Sequence, residues 1–95
     1  MFTHIVLYKL KDNNEAIKNK LKEKFLSLKD NIIKIIDVEV GFDVLHSERS
    51  YDVSLFMRFD NKQDFLSYKE HTYHKKVAEY VHSVKELSVS VDYEN

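Results

Sequence analysis

The amino-acid sequence predicts one α+β domain, in which helical segments alternate with four strands in the order β-α-β-β-α-β. Four segments alternate apolar and polar residues with a period of two, which is typical of strands. Two segments repeat apolar residues every three or four positions, which is typical of amphipathic helices. The chain has 95 residues, of which 43% are hydrophobic, and this is enough to form a single core. We therefore expect a single domain over residues 1–95.

Composition narrows the classes of function. Fifteen basic and sixteen acidic residues give a formal net charge of −1. The lysines between residues 9 and 34 are interleaved with acids at helical spacing, which indicates a solvated helix face and not a nucleic-acid site. The absence of cysteine excludes disulfides and thiol catalysis. The apolar opening, residues 2–8, is too short to span a bilayer. We therefore expect a cytoplasmic protein with neither a nucleic-acid nor a membrane partner.

The first strand is predicted over residues 2–10, with His4 and Tyr8 on one face and Ile5 on the other. Both faces are apolar over most of their length, so both are expected to be covered. Residues 12–15 resemble a capping box with Asp12 as the N-cap, and a helix follows to about Asn31. The apolar positions of this helix step by three or four residues: Ile17, Leu21, Phe25, Leu28 and Ile32.

Two strands follow as a hairpin. Residues 36–44 alternate from Ile36 to Val44, and residues 51–59 alternate from Tyr51 to Phe59, with a polar turn between them. Gly41, the only glycine in the chain, lies inside the first of these strands. A glycine there predicts a bulge or a close backbone approach.

The remaining chain predicts a broken helix and a final strand. A second capping box at residues 60–63, with Asp60 as N-cap, opens the helix. The helix is expected to break at His71 and Thr72, with Thr72 as the cap of a continuation to Val84. The last strand is predicted over residues 86–93, with Ser88 and Ser90 on the face that His4 occupies in the first strand.

This order of elements is that of the ferredoxin-like fold, in which helices cover one face of a four-stranded antiparallel sheet. The other face, which we call the open face, would then be apolar, with Ile5, Leu7, Phe56, Leu87, Val89 and Val91. A monomer rarely exposes such a patch, and two sheets can cover it by stacking in a twofold dimer. The sequence therefore predicts a homodimer through the open face, with two sheets forming one eight-stranded barrel.

These features resemble the stress-responsive dimeric A/B barrel (Dabb) domain family over nearly the entire chain. The resemblance rests on five segments: residues 4–11, 37–41 and 50–53, Tyr68-x-x-His71-x-x-His74, and Val91-Asp92-Tyr93. It implies a homodimeric α+β barrel without a cofactor. Most members have no assigned activity, and some plant members are polyketide cyclases that catalyse an intramolecular aldol condensation. A proline usually follows the first histidine of the helical pair, and Thr72 stands there in this chain.

The resemblance implies a pocket between sheet and helices, lined by His4, Tyr68 and His74. Imidazole and phenol groups can hold or move a proton near neutral pH, which makes these three residues the candidate catalytic set. His74 would act as general base, Tyr68 would donate a hydrogen bond to a developing enolate, and His4 would orient the substrate or the base. The candidate ligand-binding residues are His4, Tyr8, Tyr68, His71, His74, Ser88 and Ser90.

Packing is an equally simple explanation of each candidate. His4 and Tyr68 can be core residues with satisfied polar atoms, and the two helical histidines can cap or break a helix. A metal site on His71 and His74 would need a third ligand from His4, Glu70 or Asp92. Nothing in the spacing guarantees that these groups converge, so no metal site is predicted. His46 and His82 are expected at the surface. Asp92 is expected to fasten the C-terminal strand or the dimer edge.

Three classes of function remain open. The first is a stress-associated dimeric barrel that binds a small ligand without turnover. The second is a cofactor-independent cyclase or lyase acting on a polycarbonyl substrate, and the third is a dimeric-barrel monooxygenase or haem-degrading enzyme. An enclosed polar pocket that contains His4, Tyr68 and His74 would favour the second class over the first, whereas side chains filling that space would favour the first or a structural role.

Overall fold

The computed structural model describes all 95 residues as a four-stranded sheet with three helices packed on one of its faces. The strands pair in the order β2-β3-β1-β4, and every neighbouring pair is antiparallel. This is the ferredoxin-like arrangement, so the predicted fold is confirmed. The elements are β1 Phe2–Leu10, α1 Glu15–Asn31, β2 Ile35–Phe42, β3 Val53–Phe59, α2 Lys62–Glu70, α3 Thr72–Val84 and β4 Lys85–Glu94.

The hydrophobic core lies between the helices and the covered face of the sheet. Residues of β1 and β3 alternate between this core and the opposite face, and Val6 of β1 lies opposite Leu55 of β3. Each fully buried apolar side chain contributes roughly 1.5–3 kcal/mol relative to an exposed one. The largest fully buried side chains are Phe59, Leu21, Leu28, Leu55 and Met57.

The first two helices are capped by asparagines and not by the predicted aspartates. Asn14 caps α1, and its side-chain oxygen accepts a hydrogen bond of 2.9 Å from the backbone N–H three residues later. Asn61 caps α2 in the same way, at 2.8 Å. Asp12 was the wrong choice because it lies in the bend that directly follows β1, and Asp60 lies one residue too early to reach the first helical amides.

The hairpin between β2 and β3 has a longer loop than predicted. β2 ends at Phe42, so Val44 lies in the loop, where its side chain is 82% exposed. β3 begins at Val53 and not at Tyr51. The Asp43 carboxylate accepts a hydrogen bond of 2.7 Å from the backbone N–H of His46, which has a positive φ of 53°. A side-chain cap of this kind ends the ladder before the alternating sequence pattern does.

Gly41 marks a close approach between neighbouring strands. A Cβ atom at this position would lie 2.9 Å from Oγ of Ser54, its partner on β3. The predicted close approach is therefore confirmed. The irregularity in this pair of strands lies elsewhere, between Ile35 and Asp37.

A second irregularity, at the start of β4, changes the orientation of one side chain. Lys9 lies opposite Leu87 and Leu10 lies opposite Lys85, so Glu86 has no partner on β1. The unpaired residue shifts the alternation by one position. Lys85 therefore shares the covered face with Ser88, although the two are three residues apart in sequence.

The open face carries the predicted apolar residues. Ile5 lies opposite both Val91 and Phe56, and Leu7 lies opposite Val89. In the single chain, Val91 is 58% exposed. None of the three helices is long and apolar enough to cross a membrane.

Candidate functional site

The break between α2 and α3 is made by His71. Its backbone is extended, with φ −68° and ψ 135°, and its Nδ1 accepts a hydrogen bond of 3.0 Å from the backbone N–H of Tyr73. The imidazole therefore caps α3, and Thr72, the predicted cap, is instead the first helical residue. An imidazole nitrogen with a free lone pair can replace the hydroxyl oxygen that usually fills this role.

The same break fixes the ring of His74. Nδ1 of His74 lies 3.1 Å from the backbone carbonyl oxygen of Lys69, in the last turn of α2. A carbonyl oxygen only accepts hydrogen bonds, so Nδ1 carries the proton and Nε2 of the neutral ring keeps its lone pair. The ring stands edge-on to Tyr68, with 4.4 Å between the ring centroids.

His4 is held by a carboxylate from the neighbouring strand. Asp92 lies opposite His4 in the β1–β4 pair, and its Oδ1 accepts a hydrogen bond from Nδ1 of His4. Asp92 thus orients an imidazole, and the same bond links the C-terminal strand to β1. The bond leaves Nε2 of His4 without a protein partner.

These residues surround a cavity of about 190 Å³ between the sheet and the helices. It is continuous with a more open space of about 350 Å³ over β1 and β4. We call the two together the joined cavity. The residues that line both parts are His4, Tyr8, Tyr68, His74, Lys85 and Ser88.

The joined cavity contains six of the seven predicted ligand-binding residues. Ser90 lines only the more open part. His71 is not brought to the cavity, and it lies instead beside Ile33 and Lys34 in a separate depression of about 140 Å³. The three candidate catalytic residues, His4, Tyr68 and His74, all face the joined cavity.

Two tyrosine hydroxyls in the joined cavity have no partner within the protein. Tyr8 and Tyr68 are buried residues, yet neither hydroxyl makes a hydrogen bond to another protein group. Every side-chain nitrogen or oxygen that is cut off from solvent has a partner, so neither hydroxyl is sealed from solvent, and both tyrosines line the joined cavity. Burial raises the pKa of both phenols well above the usual value, which keeps them protonated and able to donate.

The electrostatic environment keeps His74 neutral. Burial of the half-buried ring lowers its pKa below the usual 6.5, and the nearby His4, Lys69 and Lys75 lower it further. The hydrogen bond to the Lys69 carbonyl only partly opposes this shift. At neutral pH the ring is therefore an acceptor at Nε2, as a general base must be.

Sequence reasoning missed several polar residues of the site, among them His82, Asp92 and Lys85. His82, expected at the surface, is exposed but lines the mouth of the smaller part of the cavity. Asp92 could have been found by pairing the first and last strands, since it falls opposite His4. Lys85 gave no such signal, because only the unpaired Glu86 brings it to the covered face.

The arrangement combines a neutral imidazole with an unshared nitrogen and a phenol that donates. Together they can remove a proton from a weakly acidic group and hydrogen-bond the oxyanion that results. No group of three or more His, Cys, Asp or Glu side chains is placed to share a metal ion.

Comparison with known proteins places the chain in a family. Residues 2–95 match the family model described as the stress responsive A/B barrel domain, Dabb. A dimeric protein of unknown function with a ferredoxin-like fold, from Bacteroides fragilis NCTC 9343, is 31% identical and has a TM-score of 0.86. The alignment covers 99% of this chain and 95% of that one. No match was found among curated proteins.

Two more distant structures share the fold. A dimeric ferredoxin-like protein of unknown function from Thermobifida fusca YX has a TM-score of 0.87 at 18% identity, covering 99% of this chain and 90% of that one. Hydroxynitrile lyase from Passiflora edulis has a TM-score of 0.86 at 15% identity, covering 97% and 90%. At these identities the likeness shows the fold alone. The family model, however, matches almost every residue, and the chain therefore belongs to the stress-responsive A/B barrel (Dabb) domain family.

Proposed function

We propose that this protein is a homodimer that binds a small carbonyl-containing ligand in the joined cavity. The observation that carries the proposal is the pair of unpartnered hydroxyls of Tyr8 and Tyr68, which face the same cavity as the free nitrogens of His4 and His74. Two phenol donors beside the acceptor nitrogen of His74 suit a group that both accepts and donates, such as a ketone with its enol.

The open face supports the homodimeric part of the proposal. It presents a continuous apolar surface in which Leu7, Val89 and Val91 are all exposed in the single chain. The relatives from Bacteroides fragilis and Thermobifida fusca are both dimeric proteins. Stacking two open faces would remove this surface from water without covering the joined cavity, which lies on the other side of the sheet.

Ligand binding can be tested by NMR of the histidine rings during a titration with acetylacetone, a small β-diketone. We expect saturable shifts of the His4 and His74 ring signals, while the signals of His46, on the exposed hairpin loop, stay unchanged. Tyr68→Phe should weaken binding about fivefold to tenfold, since it removes one hydroxyl donor. Tyr80→Phe is the matched control, because Tyr80 lies on α3 but does not line the cavity. If the chemical shifts of the His4 and His74 rings do not change with any carbonyl compound, the proposal is contradicted.

A second candidate function, cofactor-independent acid–base chemistry, is favoured by the free Nε2 of the neutral His74. Nε2 would take a proton from a carbon next to a carbonyl, and the electron pair of the broken C–H bond would move onto the carbonyl oxygen. Tyr68 would donate a hydrogen bond to that enolate oxygen. This step begins an aldol condensation, the reaction that the family resemblance implies for some plant members.

Proton abstraction can be measured as the exchange of α-hydrogens of methyl acetoacetate in D₂O near pH 6. We expect the wild-type protein to accelerate exchange. The rate with His74→Gln should be about 100-fold lower than with the wild-type protein, which is the contribution expected of a general base. His46→Asn, a change on the hairpin loop, should leave the rate unchanged. Binding without any acceleration of exchange would leave the protein a binding protein and eliminate this second candidate.

A further inference from the structure

The charges that line the joined cavity do not balance. Its walls include two lysines, Lys69 and Lys85, and one carboxylate, Asp92. Neither lysine has a carboxylate partner, and Asp92 is already engaged by His4. Two positive charges against one negative charge leave one cation of the cavity uncompensated. An uncompensated cation beside buried hydroxyls favours an anionic ligand.

Lys85 is the better placed of the two lysines. It is partly buried and lines both parts of the cavity, whereas Lys69 is exposed and lies over the ring of Phe65. Nζ of Lys85 donates to Oγ of Ser88 at 3.3 Å. A lysine nitrogen has three donors, so two remain for a ligand, and the Ser88 hydroxyl proton is free to donate as well.

The placement of Lys85 is a specific feature of this backbone. Regular alternation from Ser88 would direct residue 85 toward the open face. The unpaired Glu86 reverses this, and Lys85 also ends α3, where its backbone N–H bonds to the carbonyl of Val81. The side chain is thus fixed at a junction of two elements and aimed at the covered face.

We propose that the ligand of this protein is a keto acid, whose carboxylate is bound by Lys85 and Ser88. The inference rests on the proposed function, because the ketone of the same molecule would occupy the site of Tyr68 and His74. Lys85, Ser88, Tyr68 and His74 all line both parts of the joined cavity, so one small molecule can contact both pairs.

The test compares keto acids with neutral diketones of nearly equal size. In each pair a carboxylate oxygen replaces a methyl group: acetoacetate against acetylacetone, and 5-oxohexanoate against 2,6-heptanedione. At low salt, we expect the wild-type protein to bind 5-oxohexanoate about tenfold more tightly than 2,6-heptanedione, as for one charge-assisted hydrogen bond at a partly exposed site. The preference should shrink as salt is added, because salt screens exposed charges.

Variants assign the preference to Lys85. Lys85→Gln should bring the two affinities of each pair to within about twofold. Ser88→Ala should reduce the preference in part, and it serves as an independent variant should Lys85→Gln disturb the end of α3. Lys76→Gln is the matched control, because Lys76 is an exposed lysine of α3 that does not line the cavity.

The outcomes separate this inference from the function on which it rests. If neither diketones nor keto acids move the His4 and His74 signals, the proposed function fails. If diketones bind as tightly as keto acids, or if Lys85→Gln leaves the preference intact, only the keto-acid inference fails. A preference that Lys85→Gln removes and Lys76→Gln keeps supports both.

Discussion

At the scale of single residues, one hydrogen bond decides what His74 can do. The Lys69 carbonyl holds the proton on Nδ1, and burial keeps the ring neutral, so Nε2 is presented as an acceptor. The carbonyl belongs to α2 and the ring to α3. The break at His71 is therefore what brings the two groups together, although His71 itself stays outside the cavity.

The lowered pKa of His74 links the site to the stability of the fold. Because burial makes protonation less favourable in the folded chain, the unfolded chain binds more protons once the pH falls below the usual value of 6.5. The free energy of unfolding should therefore fall as the pH drops from 6.5 through the lowered pKa of the folded state, and be retained in full above 6.5. In urea titrations at pH 7.5 and 5.5, His74→Gln should lose less stability on acidification than the wild-type protein.

Gln is a suitable replacement because its amide can still donate to the Lys69 carbonyl. Carboxylates that titrate in the same range cancel when variant and wild type are compared. His46→Asn is the control, since this histidine lies in the exposed loop and asparagine tolerates its positive φ. An equal loss in His74→Gln and wild type would mean that protonation of His74 does not cost folding energy.

The family resemblance, with a compatible strand parity for His4, predicted that His4, Tyr68 and His74 line one pocket, and all three line the joined cavity. Strand parity predicts the wrong face where the pairing is irregular. The unpaired Glu86 places Lys85 on the covered face, where regular alternation would not have put it. Parity also cannot tell a ligand-binding histidine from a capping one. His71 is a histidine at the expected spacing from His74, yet its Nδ1 accepts a hydrogen bond from the backbone N–H of Tyr73.

At the scale of elements, the N-cap residue of α1 fixes where this helix begins. Asn14 caps α1 through one hydrogen bond of 2.9 Å, and the predicted cap Asp12 makes none. We expect Asn14→Ala to lower the free energy of unfolding by about 1 kcal/mol, the usual cost of losing an N-cap side chain. Asp12→Ala should change it by less than about 0.5 kcal/mol, as at an ordinary surface position. Urea denaturation measures both, and equal losses would show that the cap assignment is wrong.

The elements themselves were predictable because each has a clear period. The helix of residues 17–32 and the first strand kept their apolar faces in the structure. Ends were less predictable, since Val44 continues the alternation of β2 beyond its last ladder residue. The strand ends where the Asp43 carboxylate accepts a hydrogen bond from the backbone N–H of His46. Hydrophobic periodicity does not reveal a local hydrogen bond of this kind.

At the scale of the whole molecule, the sheet has two apolar faces and the chain covers only one. The covered face holds the core and, where serines replace apolar residues on β4, the joined cavity. The open face holds Ile5, Leu7 and the apolar half of β4. The same sheet can therefore serve ligand binding on one side and association on the other.

This division predicts that a charge on the open face disrupts the dimer and nothing else. Val91 lies opposite Ile5 on that face, and Val91→Lys would place an ammonium group in an apolar contact, where leaving water is costly. In sedimentation at micromolar concentration, we expect the wild-type protein at twice the 11.4 kDa protomer mass and Val91→Lys at the protomer mass. Val44→Lys adds the same charge on the exposed hairpin loop and should remain dimeric. A wild-type monomer would contradict the homodimer. A Val91→Lys dimer would place the association surface elsewhere, because charged residues are depleted from the apolar core of an interface.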